Sequence, residues 1–141
     1  DHLEASTKKD LILLAQSPTL GVILPCTGLH TDQRFMRSRL FIEQGGALAL
    51  ATNCNPGTSP SHSIPLAIAL AVRFCGLTPS EAIVAATVNA AAVLNLSDRG
   101  TITPGQRADL VLLHHKDERA LAYELGGNPV ATVICGGSVI R

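Results

Sequence analysis

Polar side chains follow an apolar run in the middle of the chain. Residues 47–51 are apolar, and Asn53, Asn55, Gly57 and Thr58 come directly after them. Parallel strands bring functional groups together at their carboxyl ends, and this junction has the pattern of such an end. The amide and hydroxyl side chains, with the backbone of Gly57, are suited to hydrogen-bonding a polar substrate. A plain turn has the same composition, so the local pattern leaves both interpretations open.

Histidine is the other side chain that could carry proton chemistry here. An imidazole titrates near neutral pH, so His2 is a candidate general acid or base if it lies at the end of a strand. A solvated terminal histidine is the alternative interpretation of the same residue. His30 and His62 fall in predicted loops, and the pair His114-His115 follows a predicted strand, so we interpret these four as surface residues.

The composition excludes several classes of function. Lys plus Arg and Asp plus Glu number 11 each, so no net field attracts nucleic acid or an anionic membrane. No apolar run reaches the roughly 20 residues of a membrane-spanning helix. The sequence also lacks the phosphate-binding loop, the dinucleotide fingerprint and the nucleophile elbow, so nucleotide binding and serine hydrolase chemistry have no local support. We therefore predict a cytoplasmic protein without nucleic-acid or membrane partners.

The residues available for a core are mostly aliphatic. The chain has no Trp, one Tyr and three Phe, so the core is expected to consist of Ala, Val, Ile and Leu. Four cysteines are scattered without a C-x-x-C pair, which indicates small buried hydrophobic residues in a reducing compartment. These cysteines are Cys26, Cys54, Cys75 and Cys135.

The predicted elements before residue 99 alternate between helix and strand. Buried parallel strands are predicted at residues 20–24 and 47–51, because both runs are apolar on consecutive residues. The strand, helix, strand order indicates βαβ units and a parallel sheet. Residues 27–33 are predicted to form a polar loop. Helices are predicted at residues 8–15, 34–44, 64–74 and 79–94, the last opened by a capping box at Thr78.

After Gly100 the predicted elements are mainly strands instead of alternating helices and strands. Residues 108–113 are predicted to form a strand and residues 118–125 a short helix. Residues 130–140 are predicted to form a hairpin that turns at Gly136-Gly137, a dipeptide that tight turns favour. We therefore expect a β-rich unit separate from the α/β part.

Several motifs resemble a known family. Residues 100–112, GTITPGQRADLVL, resemble the segment by which amidohydrolase-superfamily chains return from a metal-dependent barrel to a small β-sandwich. Residues 51–60, ATNCNPGTSP, resemble the imidazolonepropionase family of that superfamily, together with residues 1–4, 65–66 and 128–130. That family hydrolyses the cyclic amide of 4-imidazolone-5-propanoate to N-formimidoyl-L-glutamate in histidine degradation.

The resemblance runs along the whole chain but covers only the C-terminal portion of the family. It implies an α/β fold, the C-terminal part of a (β/α)8 TIM-type barrel plus strands of a small β-sandwich. Residues 1–98 would then supply barrel strands six to eight, with His2 ending the sixth, and residues 99–141 the sandwich part. The parent is expected to be a homodimer that binds a small molecule and a zinc or iron ion. The histidines that bind metal in the family precede this portion, so the chain alone is expected to be inactive and free of metal.

The resemblance also implies roles for individual residues. His2 matches the active-site histidine beside the ring that is hydrolysed. Asn55 and Gly57 match positions that contact a product-like ligand, and Thr58 matches a position that contacts the substrate. Asn53 stands where the family has an aspartate that binds the metal and accepts a proton from water. Because an amide is uncharged and has no basic oxygen, Asn53 is expected to be a weak metal ligand and to impair catalysis.

Two alternatives to this interpretation stay open. One is another cyclic amidohydrolase or a deaminase of the same superfamily, which the loop at residues 55–58 disfavours. The other is a non-catalytic binding module that kept the fold after the aspartate was replaced by Asn53.

Overall fold

Helices and strands alternate through the first two thirds of the chain, as the sequence predicts. The computed structural model describes residues 1–140. Its elements are α1 (Lys8–Ala15), β1 (Gly21–Ile23), α2 (Pro25–His30), α3 (Ser38–Glu43), β2 (Leu48–Leu50), α4 (Ile64–Phe74), α5 (Pro79–Ala86), α6 (Val88–Val93), β3 (Leu110–Leu113), α7 (Ala120–Tyr123), β4 (Val130–Cys135) and β5 (Ser138–Val139).

A parallel pair of strands lies at the centre of the α/β part. Gly21 of β1 aligns with Leu48 of β2, and Ile23 aligns with Leu50. All of β2 is buried, as expected for a strand of a parallel sheet. The prediction of parallel strands is confirmed, and the carboxyl ends of β1 and β2 lie side by side at one edge.

A second sheet follows, with the strand order β3-β4-β5 and antiparallel pairing throughout. The turn between β4 and β5 uses Gly136 and Gly137, whose φ angles are 58° and 84°. Such left-handed angles at both central residues favour glycine and match the twist of a tight hairpin. The predicted hairpin is confirmed.

The core between the helices and the parallel pair is mainly aliphatic, as predicted. Leu11, Ile23 and Phe41 are almost completely buried, and so is the run of residues 67–71 in α4. Phe41 packs so closely against Gly46 that a β-carbon at this glycine would collide with the ring. Within residues 1–140, each helix is too short or too polar to cross a membrane.

Helix α7 packs on the α/β part, although in the sequence it comes between β3 and β4 of the second sheet. Ala122 is buried in the main core cluster. Arg73 of α4 donates from Nη2 to the carbonyl of Tyr123 over 2.9 Å and from Nη1 to the carbonyl of Ala69 over 3.1 Å. A guanidinium group in this position satisfies carbonyls at the end of α7 that have no partner within the helix.

Two predicted helix boundaries are wrong. Residues 27–33 were expected to form a loop, but α2 continues to His30, because its first four residues are buried and Pro25 fits the first helical position. The predicted helix at residues 34–44 begins only at Ser38. Phe35 precedes it and stacks on Phe74, with 4.9 Å between the ring centroids.

The Ala-rich helix predicted at residues 79–94 is also interrupted. Thr87, with φ −121° and ψ −91°, separates α5 from α6. Its hydroxyl donates to the carbonyl of Ile83 over 2.7 Å, a bond that competes with regular helix. The break also lets Asn89 donate from Nδ2 to the carbonyl of Leu48 over 2.8 Å, which tethers α6 to β2.

The chain start and two cysteines differ from expectation as well. No strand forms at residues 1–3, because His2 and Leu3 have left-handed φ angles of 68° and 70°. Cys26 and Cys75 are buried as predicted. Cys54 and Cys135 are exposed, since one lies in the loop after β2 and the other beside the hairpin turn.

Candidate active site

Asn53 lies just beyond β2 and is held from two sides. Its Nδ2 donates to Oγ1 of Thr27 over 3.0 Å, and its carbonyl accepts a bond from Nδ2 of Asn55 over 2.6 Å. Its φ of 54° is left-handed, a conformation that Asn and Asp adopt more readily than most residues. Thr27 follows β1 and is only 8% exposed. The Asn53 side chain, which follows β2, is therefore held in place by the Thr27 side chain, which follows β1.

The loop after Asn53 is closed by Asn55. The Oδ1 atom of Asn55 accepts bonds from the backbone N–H groups of Gly57 and Thr58 over 2.9 and 2.8 Å, and its Nδ2 lies 3.0 Å from the Thr58 hydroxyl. Asn55 also pairs with Ser59, whose buried hydroxyl donates to the carbonyl of Thr52 over 2.6 Å. Both polar atoms of the Asn55 side chain thus bond within the loop, while Gly57 and Thr58 are exposed.

His2 lines a small polar cavity of about 150 Å³. Its Nδ1 lies 3.5 Å from Oε1 of Glu4, and its side chain is 42% exposed. Thr27 lines the same cavity and bonds to Asn53. Thr27 therefore links the two predicted catalytic residues, since it shares a cavity with His2 and a hydrogen bond with Asn53. The other cavity residues are Glu4, Gly28, Thr31, Asp32 and Arg34.

Hydrogen bonding and burial determine the protonation states of one carboxylate and two thiols in the α/β part. The hydrogen bond from Arg34 lowers the pKa of Asp32, so this carboxylate is ionised and paired on the cavity wall. Burial raises the pKa of the Cys26 thiol, and it raises that of Cys75 to about 12. Both thiols are protonated at neutral pH and are poor nucleophiles or metal ligands.

The residues present do not form a metal centre by themselves. Across residues 1–140, no three His, Cys, Asp or Glu side chains lie close enough together to hold an ion. Asn53 offers one neutral oxygen, since its Nδ2 donates to Thr27. Catalytic zinc sites use three protein ligands from imidazole, carboxylate or thiolate groups. We therefore assign no chemical step to a metal held by this chain.

Sequence reasoning missed Thr27 and Ser59 as residues of the site. Thr27 fell in a predicted loop, and Ser59 was not distinguished from the turn around it. One signal did point to Thr27, because it follows β1 as Asn53 follows β2, and neighbouring parallel strands end at the same edge. Nothing in the local sequence marks Ser59, whose role depends on the path of the folded loop.

The sequence is similar to that of known proteins along its whole length. The model of the amidohydrolase family matches residues 7–140. Imidazolonepropionases of Deinococcus deserti and Herpetosiphon aurantiacus are each 51% identical to the chain, over 98% and 100% of its length. That of Geobacillus kaustophilus is 38% identical over 99%. The chain spans 35%, 34% and 33% of these three relatives, or about a third of their length.

Solved structures share the fold at low sequence identity. An adenosine deaminase from Xanthomonas campestris with bound zinc has a TM-score of 0.84 at 22% identity. The match covers 98% of this chain and 35% of the deaminase chain. Guanine deaminase of E. coli has a TM-score of 0.79 at 15% identity, over 99% of the chain and 38% of that structure. The predicted α/β fold and the resemblance to imidazolonepropionases are confirmed. This chain belongs to the amidohydrolase family.

Proposed function

We propose that this chain forms the C-terminal part of a hydrolase that opens the cyclic amide of 4-imidazolone-5-propanoate and yields N-formimidoyl-L-glutamate. The observation that carries the proposal is the closed loop of Asn55, Gly57 and Thr58 at the carboxyl end of β2, in a chain 51% identical to imidazolonepropionases. Residues 1–98 would belong to the barrel and residues 99–141 to the β-sandwich. The parent would be a cytoplasmic homodimer whose zinc or iron ion is held by residues outside this chain.

The reaction adds water to a ring carbonyl and breaks the adjacent ring C–N bond, whose nitrogen takes up a proton. His2 would lie beside the ring, where its imidazole can donate that proton. Gly57 and Thr58 would contact the ligand from the exposed side of the loop. Asn55 would act through them, because its own side chain is occupied in holding the loop closed. Asn53 would occupy the position of the general base without being able to accept a proton.

The test is a chimera in which this chain, with Asn53→Asp, replaces the matching third of the Deinococcus deserti enzyme. Turnover would be measured with 4-imidazolone-5-propanoate, hydantoin, guanine and adenosine. We expect hydrolysis of the imidazolone alone. Turnover of hydantoin or of a purine in its place would favour another amidohydrolase or a deaminase and contradict the proposal.

A non-catalytic binding module is a second candidate, favoured by the bond that Asn53 donates to Thr27. An amide held as a donor binds polar ligands but removes no proton from water. Calorimetry on the Asn53 chimera would then show stoichiometric binding of the imidazolone. The binding module is supported if Asn53→Asp keeps that binding and restores no turnover, and it is excluded if turnover returns.

A further inference from the structure

We propose that Thr27 is the positioning residue for the side chain that follows β2. This inference rests on the proposed function and adds to it a residue that touches neither substrate nor water in the reaction. Thr27 contacts Asn53 through one hydrogen bond of 3.0 Å and lines the cavity that also contains His2. Thr27 is thus the residue that both bonds to Asn53 and shares a cavity with His2.

The backbone of Thr27 is firmly placed. Its N–H donates to the carbonyl of Leu24 over 3.0 Å, directly after β1. Its own carbonyl accepts two bonds from Thr31, one from the N–H and one from the hydroxyl, each over 2.9 Å. A β-branched side chain on a buried backbone has few rotamers, so the Thr27 hydroxyl has a defined position relative to β1.

A hydroxyl can serve either side chain at position 53, because it both donates and accepts. With Asn53 it accepts a bond from Nδ2, and the planar amide then directs Oδ1 away from Thr27. With aspartate it would donate to one carboxylate oxygen and leave the other oxygen directed the same way. Thr27 therefore fixes the orientation of the reactive oxygen whichever residue is present.

The first experiment measures the contact itself in the full chain. Solvent exchange of the Asn53 side-chain amide protons would be followed by NMR in Thr27→Val, Thr27→Ala and Thr27→Ser. Loss of one hydrogen bond is expected to raise the exchange rate about threefold to tenfold in the valine and alanine variants, and serine should keep it within about twofold. Thr19→Val is the control, because Thr19 is exposed and takes no part in the bonds that hold Thr27 and Asn53. Unchanged exchange in both Thr27→Val and Thr27→Ala would overturn the inference.

The second experiment measures the consequence in the Asn53→Asp chimera. Thr27→Val is expected to lower kcat about 10-fold or more with KM changed less than about twofold, as for other residues that orient a reactive group. Thr27→Ser should restore kcat. A kcat that stays low in Thr27→Ser, or one that is unchanged in Thr27→Val, would overturn the positioning role. If the chimera turns over no substrate at all, the proposed function fails, whereas the exchange measurement still decides on the Thr27 contact.

Discussion

Arg39 of α3 and Glu81 of α5 form an ion pair that joins two helices on the outside of the α/β part. The same Glu81 carboxylate accepts the N–H of Thr78 over 2.7 Å and its hydroxyl over 2.9 Å, which completes the capping box of α5. Arg39 also donates from Nε to the carbonyl of Gly76 over 3.1 Å. One carboxylate thus caps one helix and attaches it to another.

This arrangement predicts a dependence of stability on pH. The hydrogen bond from Arg39, with those from Thr78, lowers the pKa of Glu81 from 4.5 to about 2. Because the folded-state pKa lies below the unfolded value, the stabilisation is present above about pH 5 and is lost as the pH falls toward about 2. Glu81→Gln should lower the free energy of unfolding by about 1 kcal/mol at neutral pH and weaken its acid dependence.

Urea unfolding at neutral pH and at about pH 3 would measure both effects of the Glu81 change. Glu118→Gln is the control, because Glu118 is an exposed carboxylate near α7. An acid dependence that is identical in Glu81→Gln and the unchanged chain would contradict the prediction.

A carboxylate at position 53 should supply a proton acceptor that Asn53 lacks. In the chimera with the Deinococcus deserti enzyme, Asn53→Asp is expected to raise kcat for the imidazolone by about 10²-fold to 10⁴-fold over the unchanged form. Asn53→Ser, which keeps a small polar side chain without a base, should give no gain. Steady-state kinetics decides, and equal rates for Asn53 and its aspartate variant would refute the assignment of a base to this position.

Asn55 should matter through the shape of its loop. Asn55→Ala removes the bonds to the backbone of Gly57 and Thr58 and to the carbonyl of Asn53, so residues 53–59 should exchange backbone amide hydrogens faster. We expect a loss of about 1–3 kcal/mol in local opening free energy. Hydrogen exchange with mass spectrometry would report it.

Gly57→Ala is the matched control for that loop. A β-carbon at Gly57 would lie 3.5 Å from Oδ1 of Asn55, an ordinary contact. We expect exchange of residues 53–59 within about twofold of the unchanged chain in this variant, since no hydrogen bond is removed. Faster exchange in Gly57→Ala than in Asn55→Ala would show that Asn55 does not hold the loop closed.

Gly46 should be among the least replaceable glycines. A β-carbon at Gly46 would overlap the ring of Phe41, which is 1% exposed and has no space to move. Gly46→Ala is therefore expected to destabilise the fold by about 1–3 kcal/mol, the usual effect of overpacking. Thermal unfolding would measure it, and Gly46→Ala with Phe41→Leu should recover part of the loss. A fully stable Gly46→Ala would contradict the packing described for Phe41.

The sequence predicts an element correctly where its bounds depend on residues close by in the chain, such as a helix cap or a glycine turn. Helix α4 has the predicted bounds, because Ser63 caps it and the residues that follow are apolar as far as Val72. The hairpin at Gly136-Gly137 follows from the φ angles that only glycine adopts easily. Both features depend only on residues that are adjacent in the sequence, so they can be predicted before the fold is known.

Other features depend on partners distant in sequence. The break at Thr87 lets Asn89 reach the carbonyl of Leu48, and no local pattern shows that contact. The composition of the loop at Asn55 fits either a binding site or a plain turn, and it does not show the bonds within the loop. Thr27 is 26 residues from Asn53, and only the pairing of β1 with β2 brings the two together.

The contact between α7 and α4 has a consequence for synthesis of the chain. Arg73 and its partner Tyr123 are 50 positions apart, and Ala122 covers part of the core. During translation, α4 is therefore synthesised before α7, and the face of α4 that α7 covers is exposed until then. During that interval the nascent chain carries an uncovered apolar surface, and a premature stop codon before Ala120 would make the exposure permanent. A chaperone that binds apolar segments would be expected to engage α4 at this stage.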